Sequence, residues 1–138
     1  MTSPAITVEP FYVVDTHAII WYLLNDKKLG RQAKTIFTAA EQNQTLLIVS
    51  AIVIAELYYA NVKNKWFADF SDLFRDIVNK PFMRFMPVEH THVLDFLQDA
   101  AVPEMHDRII AGIAHRLGAP LITSDPLIAK AAIVKIVW

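Results

Sequence analysis

Four acidic residues, Asp15, Glu56, Asp107 and Asp125, have the types and surroundings that could do chemistry. Asp15 is the only charged side chain between Glu9 and Asp26, Glu56 the only one between Glu41 and Lys63, and Asp125 the only one between Arg116 and Lys130. An ionised carboxylate in such apolar stretches must be paired, hydrogen-bonded, protonated or bound to a cation. Asp107 lies in more polar company, with Glu104, His106 and Arg108 close by. Four carboxylates gathered in one crevice repel one another unless cations offset them, and oxygen-only donors favour Mg²⁺ or Mn²⁺ over zinc. A pair of such ions about 3.5 to 4 Å apart can activate water and stabilise the leaving oxygen of a phosphodiester. The five histidines, His17, His90, His92, His106 and His115, show no zinc-type spacing and are not assigned to catalysis; His90 and His92 read as a solvated helix start.

The elements that would gather these acids alternate between strand and helix. Phe11 to Val14 reads as a short strand running directly into a helix from Thr16 to Leu24. Residues 31 to 43 read as a polar-faced helix and Leu46 to Val49 as a buried strand. Ser50 reads as the N-cap of a helix reaching about Asn61. Trp66, Phe67, Phe70, Leu73, Phe74, Ile77 and Val78 have helical spacing and predict a helix over Trp66 to Lys80. Pro81 and Pro87 bracket a strand, Phe82 to Met86, and a helix is predicted from about Thr91 to Gln98. Pro103 opens the turn into a helix from Met105 to Leu117 that stops at Gly118. Leu121 to Thr123 reads as a strand, Pro126 to Ala132 as a short helix, and Ile133 to Val137 as the last strand. Such alternation implies right-handed crossovers and a mainly parallel sheet covered on both faces.

On this outline Asp15 and Asp125 follow strands directly, at the carboxyl ends where open α/β sheets form ligand crevices. Glu56 has Ile52, Val53, Tyr59 and Ala60 as its helical neighbours and projects from an apolar face. Asp107 falls in the first turn of its helix, where Ala111 and Ala114 keep that side shallow. Each acid taken singly also has a bland reading: an Asp after a strand commonly caps a turn or helix. Glu56 is harder to explain that way.

At 138 residues the chain suits one domain, expected over residues 11–138 behind an N-terminal extension at 1–10. With 54% hydrophobic and 20% charged residues, the composition suggests apolar surface reserved for a partner or a second copy. The absence of cysteine excludes disulfides, thiolate zinc sites and a cysteine nucleophile. A net charge of −1 offers no global attraction to nucleic acid and argues against strong duplex DNA binding, so a polyanionic substrate needs a local basic patch or metal ions. Residues 1 to 10 lack the pattern of a signal peptide, and Glu56 interrupts the long apolar run from 46 to 62. A soluble, cytoplasmic protein without a membrane role is the expectation.

Three segments, VVDTHAIIWYL from Val13, SAIVIAELYYA from Ser50 and MHDRIIAGIAHRLGAPLITSD from Met105, resemble those of PIN-domain nucleases. The likeness is strongest to the VapC-like toxin component of type II toxin-antitoxin pairs. It extends over nearly the whole chain from about Phe11 and rests on the order, spacing and context of the segments. The resemblance implies a three-layer α/β/α sandwich, Mg²⁺- or Mn²⁺-dependent RNA cleavage, a small antitoxin partner and a homodimer. It places Asp15, Glu56 and Asp107 in the metal-binding core, with Asp125 supporting a metal directly or through water. Thr16 and Thr123 would orient carboxylates or waters by their hydroxyls. Arg108 would be a phosphate contact, unless it pairs with Glu104.

Other functions are weighed against this one. A phosphatase of the haloacid dehalogenase type needs a second Asp two residues after the first, where this chain has His17. A DNA nuclease or a non-toxin RNA-processing enzyme of the same fold would share the acids. A non-catalytic interaction module would have no use for all four. The aromatic stripe Trp66, Phe67, Phe70 and Phe74 reads as core or dimer face and, if exposed, as an antitoxin groove.

Overall fold

The computed structural model describes residues 8–138, and most of the N-terminal extension expected at 1–10 lies outside that range. Five strands, β1 (Phe11–Val14), β2 (Leu46–Ser50), β3 (Met83–Met86), β4 (Leu121–Ile122) and β5 (Ile136–Val137), form one sheet in the order β3-β2-β1-β4-β5. Every pairing is parallel, including Val13 with Ile48 and Val14 with Ile122. Parallel strands covered on both faces read as unbroken apolar runs, which is how FYVV and LLIVS appear. Six helices flank the sheet: α1 (Thr16–Leu23), α2 (Arg31–Glu41), α3 (Ala51–Asn64), α4 (Phe70–Val78), α5 (Met105–Leu117) and α6 (Pro126–Ala131). The three-layer α/β/α arrangement and the parallel sheet are as expected.

The strand order matters for function. From β1 the chain steps outward through β2 to β3, then returns across them to β4 on the other side of β1. With right-handed crossovers, α1 to α4 cover one face and α5 and α6 the other. The two series diverge between β1 and β4, so their carboxyl ends splay apart and leave a crevice there. Beneath it lies a core of fully buried side chains, including Val13, Ile19, Leu47, Leu57, Ile110 and Ile122.

Several elements depart from their expected bounds. The helix predicted over Trp66 to Lys80 begins only at Phe70, where Asp69 caps it by accepting from the Asp72 amide at 3.1 Å. Lys65 ends α3 in a left-handed conformation, and the Asn61 side chain holds Phe67 by both its N–H and its carbonyl, at 2.8 and 3.0 Å. Those bonds offer the backbone of Phe67 an alternative to the helix. Conversely, α3 runs past Asn61 to Asn64. Ser50 occupies the N-cap position, but its hydroxyl makes no capping bond and is buried without a partner.

The helix predicted from Thr91 to Gln98 is a 3₁₀ segment, His90–Phe96. Its start is not solvated at both histidines: His90 is exposed, whereas His92 is buried and its Nδ1 accepts from the Glu89 amide at 2.8 Å. The predicted strands Leu121 to Thr123 and Ile133 to Val137 shrink to two residues each, with Ala132 left-handed after α6. Gly30, the residue before α2, is needed for close approach: a Cβ there would run into the backbone and indole of Trp138, whose carbonyl accepts from Gln32.

Candidate active site

Asp15 and Thr123, 108 residues apart, are joined where β1 and β4 end. The Thr123 hydroxyl donates to Asp15 Oδ2 at 2.6 Å, and the Thr16 amide donates to Oδ1 at 2.7 Å. Asp15 is thus the N-cap of α1, as the bland reading had it, and also a wall of the crevice. Burial raises its pKa above the ordinary 3.8 even though both hydrogen bonds favour the charge. Asp125 has the same double character. Its Oδ1 caps α6 by accepting from Leu127 and Ile128, and its own amide donates to Thr123 Oγ1 at 3.1 Å.

Glu56 arrives from α3. The Thr16 hydroxyl donates to its Oε1 at 2.6 Å, so one residue at the start of α1 binds Asp15 through its backbone and Glu56 through its side chain. The other Glu56 oxygen lies 3.6 Å from His106 Nδ1, which is also 3.5 Å from Glu104 Oε1. Glu104 caps α5 through its Oε2, which accepts from the Asp107 amide at 2.7 Å. Burial works against the charge of Glu104, but hydrogen bonds from the Asp107 and His106 amides and the nearby His106 outweigh it and lower its pKa.

These side chains border one crevice of about 510 Å³, lined by Asp15, Thr16, Glu56, Glu104, Asp107 and Asp125 together with His17 and Ser124. All four acids singled out in the sequence therefore meet. Glu104 is a fifth that sequence reasoning had treated only as a neighbour of Asp107; its position after Pro103, immediately before the helix, was the available signal. Asp107 feels the crowding most. Desolvation, then the charges of Asp15, Asp125, Glu104 and Glu56, push its pKa from 3.8 to about 7. Arg108 does not line the crevice or pair with Glu104. Its guanidinium donates to the Val102 carbonyl at 2.8 Å and faces the Phe96 ring.

A sequence-family match covers residues 12–134, nearly the whole chain, and its family is the PIN domain. The chain belongs to the PIN-domain family. PIN domains are nucleases, which makes this protein a hydrolase acting on nucleic acids. Comparison with curated protein sequences gave no match. Among solved structures the PIN domain is similar to VapBC2 from Rickettsia felis bound to a promoter DNA fragment, with a TM-score of 0.66 and 16% identity over 92% of this chain and 97% of that one. It is similar also to FitAB bound to an IR36 DNA fragment, with a TM-score of 0.62 and 17% identity over 91% and 93% of the two chains. FitAcB from Neisseria gonorrhoeae gives 0.61 and 18% identity, over 91% and 95%. At these identities the likeness speaks for the fold.

PIN nucleases generally use divalent metal ions, and the donor set fits that chemistry. It consists of carboxylates and hydroxyls without a thiolate, and the pKa of Asp107 is raised by desolvation and by the charges of the neighbouring acids. Among the described residues no group of three or more Asp, Glu or His side chains is arranged to hold a metal ion. Mg²⁺ does not need a preformed all-protein cage, since it keeps several waters and takes only one or two protein carboxylates directly.

Proposed function

We propose that this PIN domain is a Mg²⁺- or Mn²⁺-dependent endoribonuclease and the toxin of a toxin-antitoxin pair. The observation that carries the reading is the convergence of five carboxylates on one crevice at the β1/β4 divergence, where desolvation and then the neighbouring charges shift Asp107 to about 7. Asp15, Glu56 and Asp107 would hold the cation, one or two of them directly and the rest through its waters, with Asp125 at the rim. When bound, the cation offsets the carboxylates, lowers the pKa of water and stabilises charge on the phosphodiester. The chain's own residues do the positioning: Thr123 and the Thr16 amide fix the Asp15 carboxylate, and the Thr16 hydroxyl fixes Glu56. Such hydrogen bonds hold ligand oxygens in place before a cation arrives.

Two observations support the toxin assignment. The similar solved structures are toxin-antitoxin assemblies, two of them bound to a DNA fragment. An apolar patch on α3 and α4, with Tyr58, Tyr59, Val62, Phe74 and Val78 exposed, suits an amphipathic partner. Trp66, Phe67 and Phe70 of the aromatic stripe are half-buried behind it. A homodimer in solution belongs to the same reading, as does a cytoplasmic site of action. No helix among the described residues is long and apolar enough to cross a membrane.

The test is to incubate purified protein with single-stranded RNA and single-stranded DNA, in Mg²⁺, in Mn²⁺ and in chelator. RNA cleavage that needs either ion is expected, and undiminished cleavage in chelator would remove the mechanism. Expression of wild type and Asp107→Asn without any partner gene should slow growth only for wild type. Equal growth at matched protein levels would end the toxin reading while leaving the nuclease one standing.

A further inference from the structure

Beside the acidic crevice, α1 continues into a second cavity, of about 680 Å³, whose lining holds more lysines than acids. His17 lines the first cavity and Trp21 the second, and their rings lie 5.8 Å apart, one turn along the same helix face. Trp66 meets the Trp21 ring edge-on at 6.0 Å, and the Lys28 ammonium sits 4.4 Å from its centroid. Lys27, Lys34 and Lys80 line the cavity with Trp21. Two acids are there as well, Glu41 accepting from the Tyr22 hydroxyl at 2.6 Å and Asp26 from the Lys28 amide at 2.8 Å, so the lining sets three lysines against two carboxylates. None of these lysines, nor any other lysine among the described residues, makes a salt bridge.

We propose that the Trp21 cavity binds the single-stranded RNA flanking the bond to be cut, a base stacking on Trp21 while Lys27, Lys34 and Lys80 contact phosphates. This rests on the ribonuclease reading and names the surface that holds its substrate. A protein of net charge −1 with an acidic catalytic crevice repels a polyanion, so the attraction must come from a local cationic surface close to the chemistry. Aromatic rings interleaved with lysines are the usual solution for single strands, because every base has a face to stack and every nucleotide a phosphate to neutralise. A base arriving on Trp21 displaces the Lys28 ammonium from the ring and frees it for phosphate. The His17 to Trp21 step makes the surface continuous with the crevice.

The experiment compares wild type, the triple variant Lys27→Gln/Lys34→Gln/Lys80→Gln, Trp21→Ala and Trp21→Phe. A fluorescein-labelled single-stranded oligoribonucleotide of mixed sequence is titrated in chelator, where binding is read without cleavage, and is then cleaved in Mg²⁺ alongside a dinucleoside monophosphate. The triple variant and Trp21→Ala should weaken oligonucleotide binding about fivefold or more, with Trp21→Phe recovering most of the affinity. The salt dependence of the triple variant should flatten by about 0.7 in log–log slope for each phosphate it no longer neutralises. KM for the oligonucleotide should rise with kcat unchanged, and cleavage of the dinucleotide should not change.

Wild-type binding, salt slope and KM in the triple variant would overturn the proposal while leaving the nuclease intact. A variant that fails to bind an acidic peptide but still binds RNA would overturn it in favour of a protein-docking site. If no protein cleaves RNA yet the variants bind it more weakly as described, the surface stands and the ribonuclease reading falls. Circular dichroism of each variant distinguishes an altered surface from an unfolded chain.

Discussion

Thr16 concentrates the logic of the crevice in one residue, because its amide serves Asp15 and its hydroxyl serves Glu56. Thr16→Val keeps the shape of the side chain and the amide bond while removing the donor to Glu56. Losses of about 10- to 100-fold in activity or cation affinity are expected, the range typical of groups that orient ligands. Steady-state kinetics and a Mg²⁺ titration measure them, and wild-type values for both would show that Glu56 needs no such orientation. Asp107 tests the acid itself more cleanly than Asp15, both of whose oxygens already accept hydrogen bonds. Asp107→Asn should lose more activity than Thr16→Val, while the metal-free protein melts no lower than wild type, since one repelling charge is gone. A lowered melting temperature with activity retained would instead assign Asp107 a purely structural role.

Among the elements, the junction between α3 and α4 shows how one side chain redraws a boundary. Asn61 satisfies both backbone groups of Phe67, which keeps residues 65–69 out of a helix and holds Trp66 near Trp21. Asn61→Ala removes two hydrogen bonds at a partly buried site. Each is worth about 0.5 to 1.5 kcal/mol net, so urea unfolding should register a loss of about 1 to 3 kcal/mol. Faster amide exchange at Phe67 than in wild type should accompany it. Unchanged exchange there would mean that the junction is held by packing alone.

The molecule as a whole carries the strain of its acidic crevice as a pH dependence. The folded-state pKa of Asp107 is raised from 3.8 to about 7, and burial shifts Asp15 in the same direction. Between the two values for Asp107 the folded state binds more protons than the unfolded chain, so its contribution to stability is fully present below about pH 4 and is lost as pH rises through about 7, and Asp15 acts with the same sign. In chelator, thermal melts should therefore fall in midpoint between pH 5 and pH 8. Saturating Mg²⁺ should restore the midpoint at pH 8, because an ion that binds only the folded state stabilises it. A midpoint that rises with pH in chelator would contradict the crowding of these carboxylates.

Much of this protein can be read from local pattern. Runs such as FYVV and LLIVS mark strands buried on both faces, and the alternation with helical spacing leads to a parallel sheet with Asp15 and Asp125 at its carboxyl ends. The four acids are visible because an isolated charge in an apolar stretch demands a reason. What the pattern could not supply are the partners of polar groups, whether a few residues away or across the chain. Helical spacing at Trp66 and Phe67 says nothing of an Asn61 side chain waiting to intercept the backbone. Likewise, the charge of Arg108 does not reveal that the carbonyls of Val102 and Ala100 will claim it. Glu104 became a crevice acid only when the cap of α5 was set beside β1 and β4, and Asp15 met Thr123 only when those strands paired. Periodicity encodes which face of an element is buried, whereas the partner of a polar atom is decided by which elements the fold brings within hydrogen-bond reach.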